Sequence, residues 1–168
     1  AYSYLWISFG GSTELILYLL YAAIFALVLI IDLERYLILN VVMYPSIAFA
    51  ILVHLLIHES VWWSPLIGGA IGFTFFYIAA VVGNTVFGSG ALGGGDITLA
   101  TFVGVIVGFP LIIEALILTI LIGAAVSLIL VITRIRTLRD HIPYGPFIVA
   151  GAVVTLLWGY PIAEWFLY

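Results

Sequence analysis

Long apolar runs separated by short polar stretches set the pattern of this chain. Six runs stand out, at about residues 15–31, 40–57, 63–82, 97–109, 111–133 and 142–167. A membrane-crossing helix needs about 20 apolar residues, whereas a barrel strand alternates apolar and polar positions over about ten. These runs are apolar on every face, so each predicts a transmembrane helix rather than a strand. Pro110 closes the fourth run early. The expected fold is an all-α integral membrane protein of six transmembrane helices. Residues 1–9 are rich in aromatics and are set off by Gly10-Gly11-Ser12, which predicts an interfacial segment over 1–12. They lack the positive charge that opens a secretory signal.

The charged residues orient the spans. Arg35 falls between spans one and two, and Arg134, Arg136 and Arg139 fall between spans five and six. With six crossings these loops share one side, as does the loop between spans three and four. The opposite side holds Glu14, Glu59, Glu114 and Glu164 and no Arg. Loops rich in Arg stay cytoplasmic, which puts both termini outside. Asp32, Asp96 and Asp140 all fall on the cytoplasmic side. So does the glycine-rich stretch 83–96, read as a cytoplasmic loop leading into Asp96.

Composition narrows the reading further. Of 168 residues, 66% are apolar and 7% are charged, against about 25% charged in soluble domains. So little polar surface cannot coat a water-soluble globule, and the lipid bilayer is the expected surrounding. A net charge of −4 with only four cations excludes nucleic acid as a partner. The absence of Cys excludes disulfides, thiolate metal sites and cysteine nucleophiles. Nothing marks a linker or a repeat, so residues 1–168 are read as a single transmembrane domain in the inner (plasma) membrane. Its oligomeric state is not legible.

Two acids carry the candidate chemistry. Asp32 follows the apolar run of span one, and Asp96 precedes that of span four. The topology puts both at the same depth on the cytoplasmic side. An ionisable group at the edge of hydrocarbon is costly and points to function. Two carboxylates that approach each other share one proton near neutral pH. The ionised partner can then take a proton from water while the protonated one polarises a peptide carbonyl. Gly94 and Gly95 beside Asp96 would let a substrate backbone lie close. The plainer alternative makes Asp96 a helix cap and Asp32 a solvated helix end.

Three stretches make the sequence familiar. They are Leu29-Ile30-Ile31-Asp32-Leu33-Glu34-Arg35 with Ile38-Leu39-Asn40, then Gly93-Gly94-Gly95-Asp96-Ile97-Thr98-Leu99-Ala100, then Ile142-Pro143-Tyr144-Gly145-Pro146-Phe147. In order and spacing the chain resembles the type IV prepilin peptidase family, membrane aspartic proteases of the GxGD type. The resemblance implies that Asp32 and Asp96 are catalytic. It also implies a prepilin-like protein substrate, cleaved after a short basic leader on the cytoplasmic side. Thr98 stands where the family usually has Lys, and Leu39 where it often has Pro. Larger members add a cytoplasmic Cys-bearing domain and methylate the new N-terminus. This chain resembles the short, peptidase-only form or a trimmed one, so the resemblance does not carry methyltransferase activity with it.

The remaining polar residues have narrower readings. Glu34 and Asp140 are cytoplasmic acids that would receive a basic leader, or simply balance Arg35 and Arg139. His54 and His58 have metal-ligand spacing on span two, but no further ligands are visible and they lie on the outer side. No metal and no cofactor are expected. Residues 88–93 match G-x-G-x-x-G without any βαβ context, and a nucleophilic Ser89 would need a nearby His base, whereas His54 and His58 lie on the other side and His141 lies in the Arg loop. Gly68 and Gly72, and Gly104 and Gly108, are spaced for close helix packing. Trp62, Trp63, Trp158 and Trp165 suit outer headgroup anchors. Two alternatives stand beside the peptidase. One is a presenilin-like protease, whose Tyr-Asp pair is missing because Ile31 precedes Asp32. The other is a proton or cation relay through Asp32 and Asp96, for which the span centres offer few polar steps.

Overall fold

The structure is a computed structural model and describes residues 13–57, 62–87, 93–134 and 143–167. Those residues form six helices and no strand. They are α1 (Thr13–Arg35), α2 (Asn40–Ile57), α3 (Ser64–Phe87), α4 (Gly94–Val107), α5 (Leu111–Ile132) and α6 (Gly145–Leu167). The expected all-helical architecture holds. The interfacial reading of 1–12 lies outside the described residues.

Local sequence explains the helix limits. The body of α1 is Leu, Ile, Ala and Tyr without Gly or Pro. It ends where Tyr36 turns left-handed (φ 54°), and the Tyr36 amide donates to the Asp32 carbonyl at 2.9 Å. Pro65 and Pro146 each occupy the second position of their helix, where a missing amide proton costs no intrahelical bond. α4 stops at Gly108, which takes φ 70° just before Pro110. The glycine-rich stretch read as a loop over 83–96 is helical at both ends. α3 runs on through Phe87 and α4 opens at Gly94. Continuing the helix keeps the backbone groups of Gly83 and Asn84 bonded where the flanking valines meet an apolar surrounding.

α4 is the centre of the bundle. Leu99, Ala100, Phe102, Val103 and Val105 are all buried, with Leu99 and Phe102 at 0% exposure. Tyr21 and Phe25 of α1 meet the Phe102 ring edge-on, at 5.9 Å and 5.7 Å between centroids. α3 packs on α4 along a seam of glycines. A Cβ on Gly68 would strike the Gly104 carbonyl, and one on Gly72 would strike the Ala100 carbonyl. Only glycine permits such backbone approach. Ser64 fastens the end of the seam. Its Oγ donates to the Phe109 carbonyl at 2.9 Å and accepts from the Phe109 amide at 3.0 Å.

The outer helices face a nonpolar medium. Three have the length and apolarity to cross a membrane, over Leu15–Arg35, Ser64–Val86 and Leu111–Ile132. Fewer than a third of the residues in each of these spans are buried inside the protein. Val41, Leu56 and Ile132 are at least 70% exposed. Apolar surface on this scale fits lipid and not water. The other apolar helices are shorter, over Asn40–Leu56, Gly94–Val107 and Gly145–Gly159. At about 1.5 Å per residue, the 14 residues of α4 extend about 21 Å, below the roughly 30 Å of a hydrocarbon core.

The seam yields a direct test. Gly104→Ala sets a methyl against the Gly68 backbone, which cannot swing aside. We expect it to cost about 3 kcal/mol, read as a lower thermal unfolding midpoint in detergent.

Candidate active site

Asp32 sits on the last turn of α1 and Asp96 in the first turn of α4. Sixty-four positions apart in sequence, they come together at one end of the bundle. Both are buried, at 4% and 9% exposure, and they lie within electrostatic reach of each other.

Each acid meets the backbone of a helix start. The Gly93 amide donates to Asp96 Oδ2 at 3.1 Å, and the Asp96 amide donates to the Gly93 carbonyl at 3.1 Å. Asp96 is therefore the third residue of its helix, reaching back to the cap, and the positive end of the helix dipole favours a carboxylate there. The Gly145 amide, at the start of α6, faces the Asp32 carboxylate. A Cβ on Gly145 would collide with Asp32 Oδ2. That oxygen is buried and accepts no hydrogen bond, which leaves an acceptor open at the junction of the helix ends.

Aromatic packing fixes the third side. Tyr144 precedes Gly145 and lies within electrostatic reach of Asp96. Its ring is gripped edge-on by Phe76 of α3 at 5.9 Å and Phe147 of α6 at 5.6 Å. Gly123 of α5 leaves room for it, since a Cβ there would lie 3.3 Å from the Tyr144 hydroxyl oxygen.

The remaining sequence candidates divide. Gly95 is a packing residue, because a Cβ would lie 2.6 Å from Ile38 Cβ. Gly94 is exposed with nothing within 4 Å of where its Cβ would be. It is the open glycine beside Asp96. Glu34 and Arg35 are exposed at the end of α1. Asp140 lies outside the described residues, as do Arg136, Arg139, His58 and residues 88–92. The single Thr98 hydroxyl proton is shared between Asn40 Oδ1 and the Gly95 carbonyl, each 2.9 Å from Oγ1. Among the described residues no three His, Cys, Asp or Glu side chains converge as metal ligands. Tyr144, Gly145 and Ile38 lie within the three motif stretches, and the fold adds them to the surroundings of the acids. The Pro-Tyr-Gly-Pro stretch was the available signal for the first two.

Fold and site together define a helical membrane protein with a buried carboxylate pair where three helix ends meet. Residues 18–128 match the type IV leader peptidase family, and the chain belongs to that family, as the motif resemblance implied. It is similar to the prepilin leader peptidase/N-methyltransferase of Bacillus subtilis (strain 168), with 29% identity over 161 residues, 96% of this chain and 63% of that relative. The protein of the same name from Aeromonas hydrophila is 31% identical over 80 residues, covering 48% of this chain and 28% of the relative. That from Burkholderia pseudomallei (strain 1026b) is 27% identical over 96 residues, 57% of this chain and 31% of the relative. The chain thus spans less than two thirds of the length of these relatives. No solved structure matches it.

The two neighbouring glycines should respond in opposite ways. Gly95→Ala forces a methyl into Ile38 and is expected to lose about 2 kcal/mol. Gly94→Ala meets open space and should leave the fold unchanged or up to about 1 kcal/mol more stable. Thermal unfolding of the two purified variants beside the parent compares them.

Proposed function

We propose that this chain is a membrane aspartic endopeptidase that removes the short basic leader from type IV prepilin-like precursors. One observation carries the reading. Two acids distant in sequence are buried within electrostatic reach of each other, at helix ends, in a chain of the leader peptidase family.

The pair holds one proton between its two members. A water lodged against them loses a proton to the ionised carboxylate as its oxygen attacks the peptide carbonyl carbon. The protonated carboxyl gives its proton to the carbonyl oxygen. The tetrahedral adduct then collapses: the C–N bond breaks, one of its hydroxyls returns a proton to the ionised carboxylate, and the departing amine takes a proton from the protonated one, so the pair again holds one. No covalent enzyme intermediate forms, and no metal or cofactor enters the step. The open side of Gly94 lets the substrate backbone approach. Glu34 and Asp140 receive the leader's cations.

The reading includes a topology. Six crossings with both termini outside put Arg35, the last residue of α1, and Arg134, just after α5, on the cytoplasmic side of the inner membrane. The acid pair then meets precursors there before they are exported. Because the chain has no Cys, the side is testable. Glu34→Cys should react with a membrane-impermeant maleimide in inverted vesicles and not in right-side-out ones.

The decisive experiment incubates detergent-solubilised protein with a prepilin. Asp32→Asn and Asp96→Asn should each lower cleavage by at least about a hundredfold, with unchanged helical circular dichroism. Full activity in either variant would remove that acid from the site. EDTA should leave the rate unaffected. The rate should fall on both sides of a pH optimum. On the acid side the base carboxylate gains a proton, and on the alkaline side the acid partner loses one.

A further inference from the structure

We infer that Ile38, in the link between α1 and α2, is a positioning residue that holds Asp32 and Asp96 in register with each other. The inference rests on the peptidase reading for its meaning and on geometry for its support.

Residues 36–39 join α1 to α2. Tyr36, Leu37 and Leu39 are exposed, at 51%, 51% and 39%, whereas Ile38 is buried at 9%. One side chain of the link therefore turns inward, and it lands between the two acids' supports. On one flank is Gly95, the residue before Asp96. The place its Cβ would take lies 2.6 Å from Ile38 Cβ, 3.2 Å from the Ile38 carbonyl oxygen and 3.3 Å from Ile38 Cα. On the other flank is Gly145, whose Cβ position lies 3.4 Å from Ile38 Cδ1 and also meets Asp32 Oδ2. The same isoleucine thus touches the backbone that carries Asp96 and the backbone that confines Asp32.

A polar tie secures the link. Thr98 Oγ1 donates to Asn40 Oδ1 at 2.9 Å, joining the first residue of α2 to the fifth residue of α4. Beside that tie, Ile38 is the apolar contact that reaches both Gly95 and Gly145. A β-branched side chain has a stiff χ1 and suits a spacer. Gly95 and Gly145 fit it because both lack a Cβ, so no other side chain at those points competes for the gap.

Proton transfer within an acid pair is sensitive to geometry, and a misplacement of about 1 Å can cost a hundredfold in rate. Ile38→Ala removes the wedge and keeps the backbone contact with Gly95. It should lower kcat for prepilin cleavage at least about tenfold with KM within about twofold, normalised to folded protein. Ile38→Leu keeps the side-chain volume and a δ-methyl that can reach Gly145, and should retain kcat within about threefold. Unchanged kcat in Ile38→Ala overturns the inference. So does a loss that merely tracks the folded fraction.

A second measurement does not depend on cleavage. In the cysteine-free chain, Asp32→Cys with Asp96→Cys offers two thiols to dibromobimane, which fluoresces when it bridges both. Adding Ile38→Ala should reduce the bridged yield several-fold, while adding Ile38→Leu should not. An unaltered yield sinks the positioning role. A wild type that cleaves no prepilin while the bridging still depends on Ile38 would instead defeat the peptidase reading and leave the strut standing.

Discussion

A carboxylate removed from water must be given a substitute for water, and the helix ends supply it. A helix start has unpaired amides and a positive dipole, so it is the natural lodging for a buried acid. Asp96 takes the Gly93 amide at the start of α4, and Asp32 faces the Gly145 amide at the start of α6. Much of the fold follows from that requirement. The end of α1 must meet the starts of α4 and α6 at one level, and nothing bulky can stand at the meeting point. Glycine occupies positions 93, 94, 95 and 145 there.

The short central helix makes the meeting possible. α4 is walled in by aromatic rings from α1 and by the glycine seam of α3. Its buried positions fall on successive residues and not on one stripe, which is the mark of a helix surrounded by protein. Backbone contact along α3 leaves α4 little freedom to slide, since carbonyls fill the space that side chains would occupy. Ser64 and the Phe109 backbone pin the far end. The acid in the first turn of α4 is therefore held by packing along the whole helix, not by its own bonds alone.

The sequence disclosed the helices well because lipid-facing segments must be apolar throughout, and that signal survives without any tertiary knowledge. It also disclosed the acid pair, since an ionisable residue beside hydrocarbon is conspicuous. The small residues at 68, 72, 104 and 108 were legible as close-packing sites through their spacing. What it could not disclose was pairing between segments. Ile38 is one isoleucine among many, and only the fold reveals that it alone in its link turns inward. Gly94 and Gly95 look equivalent in a row of glycines, yet one is open and the other is filled by Ile38. The bounds of the glycine-rich stretch were misjudged because glycine lowers helix propensity without forbidding helix. In an apolar medium the backbone's need for bonds outweighs that preference.

The structural and catalytic readings of Asp96 are compatible. One carboxylate oxygen is spent on the cap, bonded to Gly93, and a carboxylate has a second oxygen with its own lone pairs. A cap fixes the direction in which that second oxygen points, which is what an acid–base group requires of its support. Thr98 fits the same logic. It stands where the family usually has a lysine, and it contributes no charge. Its hydroxyl ties the Gly95 carbonyl to Asn40 across the helix boundary. Among the described residues, the orientation of Asp96 rests on the Gly93 amide and on the packing around α4, with Thr98 bracing the turn beside it.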